Sequence, residues 1–278
     1  DFVELAKPRI VVMVMLTAAA GFWLAGPAPE QAMILFHVLV GTVLVASGTN
    51  ALNQVNERDR DALMRRTHTR PVPAGRLSVT AARVFAWSSG LAGIAYLAAL
   101  VNVLTGAIAA ATLISYVFLY TPLKTRTTVA TLIGAVPGAL PIVGGWAAAR
   151  GALSGEAWVL FWIMFLWQLP HFLALAWLYR EDYARAGFKM LSVGDPDGRM
   201  TFWHATLYAA ALLPVSLAPT IVGIAGMTYF VGALILSGAF LLASAAAVRH
   251  CTTSNAKRVF KLSLAYLPAL LILMGSGM

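Results

Sequence analysis

Asn53-Gln54-Val55-Asn56-Glu57-Arg58-Asp59-Arg60-Asp61 closes a long apolar segment. If the helix continues through it, Asn53, Glu57 and Asp61 stand at i, i+4 and i+8. Each step of four advances a helix by roughly 40°, so the three fall within roughly 80° of one face. Asp59 points off that face and is expected to be a solvated charge or salt-bridge partner. A stripe of hard oxygen ligands suits Mg²⁺, which keeps several waters and shares itself with substrate phosphates. The stretch therefore leads to the expectation of a membrane enzyme that holds a diphosphate here. The competing explanation is a solvated helix end, its acids paired with neighbouring arginines. Three features weigh against it. Asn53 still lies in the apolar helix, where an unpaired polar side chain is costly. The spacing is regular. A second acidic pair follows in Tyr179-Arg180-Glu181-Asp182-Tyr183.

The segment that carries the stripe is one of many like it. The 278 residues are 60% hydrophobic and 11% charged, against about 25% charged in soluble domains. Apolar runs of about 20 residues point to an all-α polytopic membrane protein rather than a barrel. Nine spans are predicted, at about 8–26, 31–52, 79–100, 103–121, 129–149, 157–179, 203–223, 227–248 and 260–277. Cys251 is the single cysteine, which excludes an intramolecular disulfide framework. No cleavable signal pattern ends the first span. The chain starts at Asp1 rather than Met, so a short preceding piece is expected.

The net charge of +9 would suggest nucleic acid in a soluble chain. Its distribution gives a lipid bilayer instead, and no nucleic-acid partner is expected. With nine spans, 19 of the 20 Lys and Arg residues fall on one side and Arg150 alone on the other. The positive-inside rule makes the basic side cytoplasmic. The N-terminus is then inside, the C-terminus outside, and the protein sits in the cell membrane. The two long loops, about 53–78 and 180–202, are both cytoplasmic and carry most of the acidic residues. A helix, charged loop and hairpin followed by another helix and charged loop suggest a weak parallel repeat, without residue-level self-similarity.

Arg65, Arg66, Arg70, Lys124 and Arg126 are topology signals at the least. Guanidinium forks also match phosphate oxygens, and cations beside carboxylates are what departure of a diphosphate requires. Farther into the bilayer lies Phe165-Leu166-Trp167-Gln168-Leu169-Pro170-His171-Phe172. Gln168 and His171 sit near mid-membrane, where polar groups mark function by default. They either bond to a neighbouring helix or face a bulky substrate or haem iron. His37, His68, His204 and His250 show no mutual ligand spacing. The small residues of the 129–149 span permit close helix packing or leave room for a ligand.

These motifs together resemble the intramembrane aromatic prenyltransferase superfamily. The carriers are Asn53-x-x-x-Glu57-x-x-x-Asp61 with Arg66-Thr67-x-x-Arg70-Pro71, Tyr120-Thr121-Pro122-Leu123-Lys124, Trp167-Gln168-x-Pro170-His171-Phe172, and Glu181-Asp182-Tyr183-x-x-Ala186-Gly187. Within the superfamily they are similar to the haem O synthase (protohaem IX farnesyltransferase) branch, over essentially the whole chain. The resemblance implies one domain over 1–278, with nine helices around a central cavity and the two cytoplasmic loops capping the site. It implies farnesyl transfer from farnesyl diphosphate to a vinyl group of haem b, with Mg²⁺ as cofactor and haem A synthase as a partner. It places Asn53, Glu57 and Asp61 on Mg²⁺ and diphosphate, and Asp182 in a second metal site. It also places Lys124 with Tyr120, and Arg66 with Arg70, near the diphosphate, where Arg126 joins them. His171, Gln168 and Trp167 would line the haem pocket.

Three positions depart from the superfamily. Glu57 replaces a common Asp, Gln54 an acid of quinone-pathway members, and Arg185 the second Asp of their second motif. The last, which leaves the second site poorer in carboxylates, agrees with the haem branch and argues against a quinone branch. The alternatives are a prenyltransferase for an aromatic quinone precursor and a non-catalytic haem carrier or transporter.

Overall fold

A computed structural model describes residues 1–276. Every regular element among them is helical. The order is α1 (Phe2–Ala6), α2 (Pro8–Leu24), α3 (Ala32–Asp61), α4 (Val79–Leu100), α5 (Val103–Ile114), α6 (Thr121–Leu123) and α7 (Ala130–Arg150). It continues with α8 (Gly155–Leu178), α9 (Arg180–Arg185), α10 (Arg199–Ile221), α11 (Met227–Arg249) and α12 (Thr253–Gly275). A π-helical stretch, Ser115–Tyr120, joins α5 to α6. Among the described residues, eight helical segments are long and apolar enough to cross a membrane, and Pro8–Leu24 is a shorter apolar helix. The protein is thus an all-α, polytopic membrane protein, because only intrahelical bonding satisfies the backbone of such segments in lipid.

Most span boundaries follow the sequence, and the differences come from caps. The last helix begins at Thr253 rather than 260, because Thr252 Oγ1 accepts from the Asn255 amide. Lys257 and Arg258 are therefore on the helix and not in the loop before it. Gly277, the last residue of the expected final span, lies outside the described residues. The 203–223 span begins earlier, at Arg199, directly after Gly198 in a left-handed conformation (φ 74°). The first expected loop, 53–78, is helical as far as Asp61. The helix α8 runs through Pro170 without ending.

The chain forms two compact units. The first holds residues 1–153 together with 185–188, and the second holds 154–184 and 189–278. In the first unit α3 packs on α4 and α2 on α7. The α2–α7 approach depends on glycine. A Cβ on Gly145 would lie 1.9 Å from the Ala18 carbonyl oxygen, and one on Gly21 would lie 1.9 Å from that of Ile142. Small residues at such crossings let backbones meet without side chains between them. Leu5, Val45, Leu52, Val55, Val72, Ala86 and Leu113 form a buried core beneath the stripe. In the second unit α8 packs on α10 and α12, and α11 lies against α10 and α12. There the Tyr266 hydroxyl meets Ser216 Oγ at 2.7 Å and Ser237 Oγ at 2.8 Å.

Candidate active site

The helix α3 carries the stripe to its last residue, so the expected face is real. Asn53, Glu57 and Asp61 are 3%, 6% and 1% exposed, while the Asp59 side chain is 87% exposed and pairs with Arg58. A solvated helix end is therefore ruled out for the three stripe residues. Each is met by a cation brought from another part of the first unit. Lys7 Nζ donates to Asn53 Oδ1 at 3.0 Å. Lys124 Nζ donates to Glu57 Oε1 at 2.9 Å, and Arg70 Nη1 to Asp61 Oδ2 at 2.6 Å. Buried carboxylates are tolerable only with such partners.

The N-terminus is folded onto the same helix. Asn50 Nδ2 donates to the Ala6 carbonyl at 3.0 Å and Gln54 Nε2 to that of Leu5 at 2.9 Å. Arg76 bridges the Asp1 and Glu4 carboxylates. Lys7 itself sits between α1 and α2 with φ 57°, the only described non-glycine residue at positive φ. That conformation costs about 1–2 kcal/mol and aims the ammonium at Asn53. Burial, with the Arg70 cation beside it, brings the Lys7 pKa down to about 7, while Glu57 and Asp61 pull the other way. For Lys124, burial also works against the charge. Its contact with Glu57, aided by Tyr120 and Tyr116, prevails and holds the pKa well above the usual lysine value.

Beside Glu57 opens a cavity of about 350 Å³, lined by Asn56, Glu57, Arg60, Thr121, Pro122, Thr125, Arg126 and Phe188. Arg126 and Arg60 bring two guanidinium groups to its wall. Tyr120 lies under Lys124, its ring centroid 4.4 Å from Nζ. Arg66 is exposed in the turns after α3. Asp182 is buried on α9 of the second unit.

A divalent cation needs converging oxygen donors. Among the described residues no group of three or more His, Cys, Asp or Glu converges. The stripe offers two carboxylates and a carboxamide. Asp61 Oδ1 is buried with no hydrogen-bond partner, an acceptor that desolvation leaves unpaid. Hard oxygen donors with one acceptor unclaimed fit Mg²⁺, which needs few protein ligands and keeps waters.

The mid-membrane cluster is built differently. Trp167 Nε1 donates to the Ser263 carbonyl at 2.7 Å, and His171 Nδ1 meets Ser263 Oγ at 2.8 Å. Gln168 Nε2 donates to the Met164 carbonyl one turn back at 2.8 Å. The His171 ring lies between those of Trp167 and Phe260, at 5.4 and 4.8 Å. Of the other histidines, His37 Nδ1 meets the Tyr96 hydroxyl on α4, while His68 and His204 make local contacts with the Arg65 and Met200 carbonyls.

Sequence reasoning passed over Lys7, Arg60 and Phe188. Lys7 is separated from Asn53 by 46 residues, and no periodicity links them. Its one signal was a lysine placed directly before Pro8 at the mouth of the first span.

Fold and site together define a polytopic helical membrane protein that carries a buried oxygen stripe paired with cations. The UbiA prenyltransferase family profile matches residues 14–266, and the chain belongs to that family. A protoheme IX farnesyltransferase from Solibacter usitatus (strain Ellin6076) is 46% identical over 283 residues, covering 99% of this chain and 97% of that protein. Among solved structures, one described as digeranylgeranylglyceryl phosphate synthase superposes with a TM-score of 0.84 at 17% identity, covering 99% of this chain and 96% of the other. A UbiA homolog from Archaeoglobus fulgidus bound to DMAPP and Mg²⁺ gives 0.66 at 15% identity, covering 98% and 99%. At such identities the structural likeness speaks for the fold alone.

Proposed function

We propose that the protein transfers the farnesyl group of farnesyl diphosphate to a vinyl group of haem b, giving haem O and releasing diphosphate. The observation that carries this is the buried stripe Asn53, Glu57 and Asp61, matched by Lys7, Lys124 and Arg70 beside a cation-lined cavity. The 46% identical farnesyltransferase, matched nearly end to end, supports the choice of haem.

In this reading Asn53, Glu57 and Asp61 hold Mg²⁺, with Asp182 in a second metal site. Bound Mg²⁺ supplies charge neutralisation on the leaving diphosphate. Lys124, Arg126, Arg66 and Arg70 hold the phosphate oxygens, and Tyr120 supports Lys124. Charge building on the bridging oxygen is met by these fixed cations, so the C1–O bond breaks toward an allylic cation. The haem vinyl π electrons form the new C–C bond, and water then adds at the resulting cation and loses a proton, giving the hydroxyethylfarnesyl product. No side-chain nucleophile is needed. Haem lies against Trp167, Gln168 and His171. Ser263 occupies His171 Nδ1, so Nε2 is the nitrogen left to meet iron.

The family match spans both compact units, which supports treating 1–278 as one functional domain. We take α2 as the ninth span. The N-terminus and the loops after α3 and α8 then face the cytoplasm, in the cell membrane, where haem A synthase would take up the product.

The test is turnover of the purified protein with haem b, farnesyl diphosphate and Mg²⁺, with and without chelator, the haem product read by mass. A farnesylated, hydrated haem that chelator abolishes is the expected result. Haem binding with no diphosphate release under any metal condition would favour a haem carrier. Turnover of hydroxybenzoate or naphthoate in place of haem would favour the quinone branch.

A further inference from the structure

The segment Arg185–Phe188 belongs with the first compact unit although its sequence neighbours on both sides belong to the second. It is pinned there by Arg60, one residue short of the end of the stripe. Arg60 Nη1 donates to the Ala186 carbonyl at 3.2 Å. The next residue, Gly187, takes a positive φ of 69°, where a side chain would be strained. A Cβ there would also come within 3.6 Å of Arg60 Nη1. This turn delivers Phe188 into the wall of the cavity beside Glu57, where the ring is 3% exposed.

The ring meets two cations. Arg60 Cζ and Lys124 Nζ each lie 5.8 Å from its centroid. Lys124 also lies 4.4 Å from the Tyr120 ring, while its ammonium bonds Glu57. An ammonium is a point charge on a flexible four-carbon stem with freely rotating donors. One carboxylate alone does not fix where its remaining donors point. Two aromatic faces do restrict it, because the ring quadrupole attracts a cation within about 6 Å, most strongly where water is excluded.

We propose that Phe188 is a positioning residue. Carried on the Arg185–Phe188 strap and held by Arg60, its ring completes with Tyr120 an aromatic clamp that fixes the Lys124 ammonium against Glu57, a residue that itself lines the cavity. This rests on the reading of that cavity as the diphosphate site. A clamp of this kind serves the bound anion and its transition state alike, so its loss raises KM for the prenyl diphosphate more than it lowers kcat.

The test compares Phe188→Leu, Phe188→Tyr and wild type in nanodiscs, measuring kcat and KM for farnesyl diphosphate and the affinity for inorganic diphosphate with Mg²⁺ by calorimetry. Phe188→Leu is expected to weaken both KM and diphosphate affinity by about tenfold, with kcat within about threefold. Phe188→Tyr keeps the π face and is expected to stay within about twofold of wild type. Should Phe188→Leu give no folded protein, Phe188→Met, flexible enough to fill the same space, takes its place. Equal behaviour of the aromatic and aliphatic variants, or a loss confined to kcat, overturns the clamp. Failure of the wild type itself to turn over farnesyl diphosphate would overturn the site reading instead, and the two failures are distinguishable.

Discussion

Two of the places where this protein buries polar side chains in helices made for lipid solve the problem in opposite ways. At the end of α3, Asn53, Glu57 and Asp61 are ionic or strongly polar, and each is met by a cation drawn from elsewhere in the chain. The balance is incomplete, since Asp61 Oδ1 has no partner. In the middle of α8, Trp167 and His171 are met by neutral groups of a single residue, Ser263, and Gln168 bonds back to its own helix. Burial of a polar group is common to both. The difference lies in charge and in the unclaimed acceptor, which is what a ligand can use. A site that is complete without its ligand gains less from binding one.

The largest effect expected is at Asp61. Asp61→Asn keeps the shape but removes the charge that Arg70 and a metal would share. Turnover should fall by about a hundredfold or more, with a weaker response in a Mg²⁺ titration. Initial rates close to wild type would remove Asp61 from the site and erase the contrast with α8.

Next comes Lys124→Met, which leaves Glu57 as a buried charge without its partner. Breaking such a pair costs about 3–5 kcal/mol, visible as a lowered unfolding temperature, and KM for farnesyl diphosphate should rise steeply. Stability lost without any change in KM would make the pair a structural device only.

His171→Ala sharpens the other side of the comparison. If Nε2 meets iron, the Soret band of bound haem b shifts and haem KM rises several-fold, while KM for farnesyl diphosphate stays put. An unchanged haem spectrum would mean that His171 serves only to hold α8 to α12. The smallest effect is expected for Gln168→Leu. Interhelical and side-chain bonds in membranes average about 0.6 kcal/mol, so the melting temperature should drop slightly, KM for farnesyl diphosphate should hold within about twofold and KM for haem should rise by about threefold at most. A large catalytic loss there would place α8 in the same category as the end of α3.

What the sequence by itself determined is what repeats locally. Apolar runs of span length dictate helices, because a chain in lipid must satisfy its own backbone. A spacing of four dictates that Asn53, Glu57 and Asp61 share a face and that Asp59 does not. Even the start of the last span at Thr253 had a local signal in Thr252, a capping residue that hydropathy alone overlooks. The partners of the stripe had no such signal. Glu57 finds Lys124 across 67 residues and Asn53 finds Lys7 across 46, while Arg60 reaches Ala186 across 126. The twenty basic residues looked alike as topology markers, and only packing chose among them. The left-handed turn at Lys7, the strap at Gly187 and the close crossing of α2 and α7 decide which ammonium reaches which oxygen. Those are properties of surfaces brought together by the fold, and no helical period encodes them.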